Sequence, residues 1–247
     1  MPPSLQTLAR ATRVGLTAAR TSEEQRRARA DERSIAVLVA ALLERTDDAV
    51  IVGAHHGRLM QQVLASAPAG RHLAVDALPE HTLELQAALP ASVIIEQYAL
   101  TDDPTEGEME LLHVPRSSTR TPPVAGVAGV RVDAKPRRLR ARTISLDALV
   151  DRHSLIPRLI RIDVDGMERA VLQGARHTIR HYQPVLLVEH GTSLCHGGLG
   201  ESSESFFDAA SALELRVFDL AGRGPYNRDD FAAAVHDRRI VNYLLRH

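Results

Sequence analysis

The chain has 247 residues, of which 44% are apolar and 25% are charged, and its formal net charge is −1. This is the composition of a globular protein, and one α/β domain of this length can bury a full core. The near-zero net charge provides no general attraction to nucleic acid or an anionic membrane. Since only 3% of residues are aromatic and tryptophan is absent, stacking platforms for single-stranded nucleic acid are also disfavoured. We predict neither a nucleic-acid nor a membrane partner.

The cysteine content and the first residues bear on the cellular compartment. A single cysteine, Cys195, excludes an internal disulfide and suits a reducing environment. No run approaches the roughly 20 apolar residues of a membrane span. Arg10 and Arg13 interrupt the stretch where a secretory signal would have its apolar core. These features predict a cytoplasmic protein.

Residues 1–46 are predicted to be a helical extension that precedes a domain at 47–247. The segment SIAVLVAALLER at 34–45 is its apolar part. Such a helix can pack on the sheet of its own domain or on another copy of the chain. A homo-oligomer is therefore left open.

From Ala49 onward, short apolar runs alternate with segments of helical periodicity. The runs are AVIVGA, HLAVDA, VIIEQYAL, LIRIDV, PVLLVEH, LELRVFDL and IVNYLLRH. Unbroken runs of Val, Ile and Leu between helices are typical of strands covered on both faces, and thus of a largely parallel sheet. We predict a doubly wound α/β fold with seven strands. Residues 116–142, rich in proline, glycine and arginine, are predicted to be a surface loop.

A glycine turn follows the first strand. Gly53-Ala54-His55-His56-Gly57 joins that strand to a helix, so that bare backbone and a helix N-terminus can approach a ligand. The spacing is Gly-x-x-x-Gly. Dinucleotide-binding turns have a further glycine between these two, so a nicotinamide-dependent oxidoreductase is a disfavoured alternative.

Two carboxylates follow the next two strands. Asp76 lies about twenty residues beyond the glycine turn, where an acidic side chain can bind the ribose hydroxyls of a nucleotide. Asp102, after Ala99-Leu100 at the end of the third run, borders the same crevice and can accept a hydrogen bond from an adenine amine. Each can instead be an aspartate of a turn or a helix cap.

The fourth run carries alternating charges, Arg161, Asp163 and Asp165, directly before a helix. Asp165 is predicted to cap that helix, with Glu168 reaching back. Asp163 lies at the carboxyl edge of a central strand, where open α/β sheets bind ligands. Burying a carboxylate there requires a partner, so it either serves the site or is tied structurally to Arg161.

Seven segments, in order, resemble the motifs of the FkbM-type methyltransferases. They are VGAHHG, VDALP, YALTDDPTEG, TISLDALV, IRIDVDGMERAVLQGA, PVLLVEH and VNYLLR, and together they cover about residues 49–246. The resemblance is most specific in IDVDGMERAVLQGA. It implies a Rossmann-like class I methyltransferase fold, S-adenosylmethionine as methyl donor, and a hydroxyl oxygen of a small molecule, such as a natural product or carbohydrate, as acceptor.

The resemblance also implies roles for individual residues. The turn with Gly53, Ala54, His55 and Gly57 would face the methionine part of the cofactor. Asp76 would hold the ribose, and Ala99, Leu100 and Asp102 would border the adenine. Asp163 and Asp165 match an acidic pair near the reaction centre. We predict Asp163, His190 or His55 as the base that takes the hydroxyl proton.

The sequence departs from the family pattern at several of these positions. Ile51 stands where the family usually has aspartate, His55 replaces a common asparagine, and Asp76 and Ala77 replace glutamate and proline. These changes motivate an alternative, a catalytically impaired methyltransferase-like protein with a binding or scaffolding role. We predict no metal, because the spacing of His190, Cys195 and His196 fits no closed zinc motif.

Overall fold

The computed structural model describes residues 26–113, 137–164, 166–191, 202–237 and 240–247. Its strands are β1 Asp48–Val52, β2 His72–Asp76, β3 Val93–Gln97, β4 Ala99–Leu100, β5 Gly107–His113, β6 Arg137–Ile144, β7 Pro157–Ile162, β8 Val185–Glu189, β9 Arg216–Asp219 and β10 Asn242–Arg246. Its helices are α1 at 26–42, α2 Arg58–Ser66, α3 Pro79–Ala88, α4 Leu146–Arg152, α5 Glu168–Gly174, α6 Arg176–Tyr182, α7 Ser203–Ala212 and α8 Arg228–His236.

Seven strands form the central sheet in the order β3-β2-β1-β7-β8-β10-β9. All neighbours are parallel except β10, which is antiparallel to both β8 and β9. Each of the seven predicted runs contributes one of these strands. The prediction of a mostly parallel, seven-stranded α/β sheet is confirmed.

Helices cover both faces of this sheet, and the side chains of successive strand residues point alternately into the two cores that lie on these faces. In β1, Val50 and Val52 pack into a core with α4 to α8, whereas Ala49 and Ile51 pack into a second core with α1, α2 and α3. Side chains alternate in this way because neighbouring strand residues point to opposite faces. Both faces are apolar, which explains why the runs in the sequence are unbroken.

Helix α1 packs on the sheet. Ile35, Val39 and Leu43 are buried at four-residue spacing in the core that also contains Ile51, as expected for the apolar stripe of an amphipathic helix. The part of the predicted extension at 1–25 lies outside the described residues. Across the residues that the structure describes, no helix is both long and apolar enough to cross a membrane.

A second sheet corrects two predictions. The third apolar run divides into β3 and β4, and β4 joins β6 and β5 in a separate three-stranded sheet. Residues 137–142, predicted to be part of a surface loop, lie in β6, while 114–136 fall outside the described residues. The strand was missed because its arginines face solvent and pair with glutamates instead of forming an apolar pattern; the pairs are Arg138–Glu110, Arg140–Glu108 and Arg142–Glu106.

The helix predicted after β7 is broken in two. Val171, Ala175 and Ile179 form a fully buried apolar stripe at four-residue spacing, but the chain leaves the helical conformation at Ala175, between α5 and α6. Gly174, the last residue of α5, lies directly against the backbone that follows β4. A Cβ at this position would overlap the carbonyl oxygen of Thr101. The apolar stripe is therefore shared by two short helices.

Candidate active site at the carboxyl edge of the sheet

A cavity of about 470 Å³ opens beside the carboxyl ends of β1, β7 and β8 and beneath α1. This volume is in the range of small-molecule sites, about 300–1,000 Å³. The lining residues come from α1, the β1–α2 turn, α2 and the central strands; they include Arg27, Asp31, Glu32, Ile51, Gly53, Ala54, His55, Arg58, Gln62, Arg161, Asp163, Glu189 and Asn242. The cavity lies where parallel α/β sheets bind ligands.

The β1–α2 turn is fixed by close contacts on two sides. The amides of Gly53 and Ala54 donate to the carbonyl oxygen of Val75, at 2.9 and 3.2 Å. On its other side, a Cβ on Gly53 would overlap the carbonyl oxygen of Asp163. Gly53 also has a φ of +74° and His55 a φ of +46°, in the left-handed region that disfavours side chains. Glycine is thus required at Gly53 by both space and conformation.

Asp76 ends β2 beside this turn and is 5% exposed. Its Oδ2 accepts a hydrogen bond from the amide of His55 at 3.0 Å, and its Oδ1 accepts from the amide of Leu78 at 3.0 Å. The Nδ1 of His81 is 3.1 Å from the same Oδ1. Burial raises the pKa of Asp76, but these hydrogen bonds, that of His81 first, outweigh it and leave the pKa below its ordinary value.

The pKa of His81 is coupled to the same contact. Its hydrogen bond to Asp76 raises the pKa of the imidazole above the ordinary value, against the effect of burial. We expect Asp76→Asn to lower the pKa of His81, because the substitution removes the anionic partner that stabilises the imidazolium. Histidine NMR titration, with the signal assigned through His81→Gln, measures this change. A His81 pKa that is unchanged or higher in Asp76→Asn would contradict the pairing.

A network of charged and polar side chains crosses the cavity wall. Arg161 is 5% exposed, and its Nη2 donates to Asp163 and Glu189, both at 3.0 Å. Its Nη1 donates to Asn242 at 2.7 Å, and the Nδ2 of Asn242 donates to Asp31 of α1 at 3.0 Å. Three strands and α1 are thereby linked. Arg161 is the charged partner that the partly buried carboxylate of Asp163 requires.

The cavity brings together some of the sequence-predicted residues. Gly53, Ala54, His55 and Asp163 line it. Gly57 ends the same turn, at the start of α2, and Asp76 ends the neighbouring strand β2. The residues expected near an adenine lie elsewhere: Ala99 and Leu100 are buried in β4, Asp102 is exposed, and none of the three lines the cavity. Asp165 lies outside the described residues.

His190 is turned away from the cavity. Glu189 lines the cavity, and His190, the next residue, faces the opposite side because neighbouring positions alternate at a strand end. His190 is 2% exposed, stacks on Phe206 with ring centroids 4.4 Å apart, and contacts Glu168 through Nδ1 at 3.1 Å. The prediction that His190 is a base in the cleft therefore lacks support from its placement. Cys195 and His196 lie outside the described residues.

Sequence reasoning missed the contribution of α1. Arg27, Asp31 and Ile35 line the cavity from this helix, and their spacing of four residues places them on one helical face. That periodicity was available in the sequence. Asn242 was also missed, although a polar residue inside an apolar strand run is itself a signal, since a buried amide needs hydrogen-bond partners.

Comparison with known proteins identifies related sequences and folds. Residues 52–218 match the sequence model of the methyltransferase FkbM domain. No curated protein sequence matches the chain significantly. Among solved structures, the methyltransferase FkbM from Methylobacillus flagellatus KT aligns with 12% identity and a TM-score of 0.45 over 83% of this chain and 44% of its own. The chain thus spans less than half the length of that protein.

Two further structures show the same level of similarity. The precorrin-6y C5,15-methyltransferase of Geobacter metallireducens GS-15 aligns with 12% identity and a TM-score of 0.43, over 74% of this chain and 72% of its own. Human N-acetylserotonin methyltransferase in complex with SAM aligns with 11% identity and a TM-score of 0.41, over 87% of this chain and 50% of its own. Similarity of this extent indicates no particular substrate, so the domain match is the basis for assigning the family.

Proposed function

The chain belongs to the FkbM methyltransferase family, and we propose that it transfers a methyl group from S-adenosylmethionine to a hydroxyl oxygen of a small molecule, such as a natural product or carbohydrate. The observation that carries this proposal is the cavity beneath α1, where the glycine turn of β1 meets Asp163 and Glu189. Backbone of this kind at the carboxyl edge of a parallel sheet suits a nucleoside-containing ligand.

The side chains of the cavity fit a cationic donor. S-adenosylmethionine carries a sulfonium and an ammonium group, and the cavity presents the carboxylates of Asp31, Glu32, Asp163 and Glu189. Ile51 also lines the cavity, at the position where the family usually has aspartate. Three arginines, Arg27, Arg58 and Arg161, line the same volume, and Arg161 pairs with Asp163 and Glu189. The four carboxylates therefore exceed the cations by one charge, which offsets only part of the charge that an aspartate in place of Ile51 would supply.

The ribose is assigned to Asp76. Its Oδ2 accepts one hydrogen bond, from the amide of His55, and each carboxylate oxygen can accept about two. Asp76 therefore retains the capacity to accept a ribose hydroxyl while it holds the turn. The methionine end would then extend along Gly53 and Ala54 toward Asp163. Ala99, Leu100 and Asp102 remain the sequence-based proposal for the adenine end.

Within this proposal, the chain acts mainly by positioning. When bound, S-adenosylmethionine supplies an activated methyl group together with its own leaving group. Placing the acceptor oxygen in line with that methyl contributes much of the rate. Asp163 is the proposed base for the hydroxyl proton, worth about 100- to 10,000-fold, because it lines the cavity and Arg161 fixes its orientation. His55, also in the lining, is the second choice, and Asp165 keeps only its family-based assignment.

The alternative is a methyltransferase-like protein that binds a partner without turnover. The specific observation that favours it is the apolar side chain of Ile51 in the cavity wall. In that case the chain would fold cooperatively and bind neither S-adenosylmethionine nor its demethylated product. A homo-oligomer and a cytoplasmic location also remain proposals from the sequence.

Calorimetric titration with S-adenosylmethionine and its demethylated product tests the site. We expect binding by the wild-type chain and a loss of at least about tenfold in affinity for Asp76→Asn, because one charge-assisted hydrogen bond to the ribose contributes about 1.5–3 kcal/mol.

Asp48→Asn is the matched control for this experiment. Asp48 also accepts hydrogen bonds from two backbone amides, those of Arg71 and Ile156, but it lies at the opposite end of β1. The control should bind the cofactor as the wild type does, whatever stability it loses. Equal affinity in Asp76→Asn and Asp48→Asn would contradict the ribose assignment, and no binding by a cooperatively folded wild type would favour the alternative function.

A further inference from the structure

Asp76 is surrounded by two histidines from neighbouring elements. His55 lies in the β1–α2 turn, Asp76 ends β2, and His81 lies in the first turn of α3. Each of the three side chains offers one potential ligand atom, and these atoms all lie within 4.8 Å of one another. The rings of His55 and His81 meet edge to face, with centroids 5.2 Å apart. Three separate elements thus bring two imidazoles and a carboxylate to one point.

The separations are close to those of a metal site. Zn²⁺ binds histidine nitrogen and carboxylate oxygen at about 2.0–2.2 Å in tetrahedral geometry, which places ligand atoms about 3.3–3.6 Å apart. The Nδ1 of His81 is already 3.1 Å from Oδ1 of Asp76. The remaining ligand separations, at most 4.8 Å, need to close by no more than about 1.5 Å to reach that geometry. Small side-chain rotations suffice for such a change.

We propose that His55, Asp76 and His81 bind a divalent transition-metal ion of the zinc class. Two imidazoles and a carboxylate are ligands that such ions prefer, whereas Mg²⁺ and Ca²⁺ favour oxygen ligands. Three protein ligands leave at least one coordination position for water. The metal would replace the hydrogen bond between His81 and Asp76. It would also displace any proton on the ring nitrogen that binds it, while the other nitrogen keeps its N–H, because histidine binds metals as the neutral imidazole.

The surroundings of Asp76 orient it for this role. The amides of His55 and Leu78 donate to its two oxygens, so the carboxylate is held in place before a metal arrives. His56 pairs with Glu84 at 2.6 Å, and its ring packs against that of His81 with centroids 5.7 Å apart. Such outer contacts orient metal ligands, and losing one typically costs about 10- to 100-fold in metal affinity.

One consequence rests on the proposed function. If Asp76 holds the ribose of S-adenosylmethionine, the metal and the cofactor compete for the same carboxylate. Zn²⁺ would then weaken cofactor binding. Metal binding itself does not depend on that assignment.

The test uses the untagged chain of 247 residues after removal of metal by a chelator. Co²⁺ titration, followed by visible d–d absorption, reports the ligand geometry, and competition with a chromogenic chelator gives the Zn²⁺ affinity. We expect one ion per chain, and a loss of more than about 100-fold in affinity in both His55→Ala and His81→Ala, because removing a ligand costs more than removing an outer contact.

Two control variants locate the ion. His236→Ala removes an exposed histidine of α8 and should leave the metal affinity unchanged. His181→Ala addresses a second histidine pair among the described residues, His177 and His181 of α6, whose rings stack with centroids 5.5 Å apart. The proposal is overturned if neither ion binds, if His55→Ala and His81→Ala both retain wild-type affinity, or if His181→Ala abolishes binding instead.

Calorimetric titration of S-adenosylmethionine, with and without Zn²⁺, separates this proposal from the proposed function. Competition in the wild type that is lost in His81→Ala supports both. Metal binding by a chain that never binds the cofactor supports the metal site and contradicts the proposed methyl transfer. Cofactor binding by a chain that binds no metal contradicts the metal site alone.

Discussion

Gly53→Ala is expected to lower the free energy of unfolding by about 2–5 kcal/mol and to abolish cofactor binding. The left-handed conformation, with a φ of +74°, costs an alanine about 1–2 kcal/mol. The added Cβ would also overlap the carbonyl oxygen of Asp163, and overpacking costs about 1–3 kcal/mol more. Because that neighbour is backbone, no side-chain rotation relieves the contact. Asp163 or the glycine turn must move, and both line the cavity.

Gly222→Ala is the matched control for this substitution. Gly222 also has a positive φ, +79°, but a Cβ there would meet no atom within 4 Å. The control therefore carries only the conformational cost, about 1–2 kcal/mol, and should bind S-adenosylmethionine as the wild type does. Chemical denaturation and calorimetric titration of both variants measure the difference. Equal destabilisation of the two would show that the contact with Asp163 contributes nothing.

Arg161→Gln is expected to have the second-largest effect, about 2–3 kcal/mol of unfolding free energy and a weaker affinity for the cofactor. Removing one partner of a buried ion pair costs about 3–5 kcal/mol, because the other charge stays behind. The side chains of Asp163 and Glu189 are 21% and 38% exposed, so water screens part of that cost. Asp163 would lose the contact that fixes its orientation. Asn242 would lose its hydrogen bond from Arg161, so α1, which Asn242 contacts through Asp31, would no longer be connected to Arg161.

Two further variants separate position from charge. Arg158→Gln removes an exposed arginine of the same strand, β7, and should change stability by less than about 0.5 kcal/mol. Arg161→Lys keeps the charge but not the forked geometry that reaches Asp163, Glu189 and Asn242 together. It should recover only part of the loss. If Arg161→Gln is as stable as Arg158→Gln and binds the cofactor equally well, the network has no role.

Much of the fold could be predicted because its pattern is local. The run HLAVDA predicts β2, because a strand covered on both faces is apolar along its centre. All five residues of that strand are buried, and only its two end residues, His72 and Asp76, are polar. The same reasoning fails for β6. Its arginines face solvent and are paired with glutamates of or near β5, and no local apolar pattern marks such a strand.

The candidate site was predictable to a lesser extent. Asp163 and the glycine turn could be placed at one sheet edge, because the carboxyl ends of parallel strands meet there. His190 was expected at the same edge, yet the alternation of side chains turns it to the other face of the sheet. A shift of one residue moves a side chain from one face of the sheet to the other. The spacing of residues in the sequence does not define which residue of a strand faces which side.

By itself, the sequence determined the seven strands of the central sheet and the resemblance to a family that the domain match at 52–218 then confirmed. It also predicts the carboxyl edge of that sheet as the site. These follow from residue periodicity and from motifs contiguous in the chain. Only the tertiary structure decided which side chains meet. Asn242 reaches Asp31 across 211 positions, and His55 joins Asp76 and His81 from a different element. Such contacts depend on how the helices pack on the sheet, which is a property of the whole core rather than of any local segment.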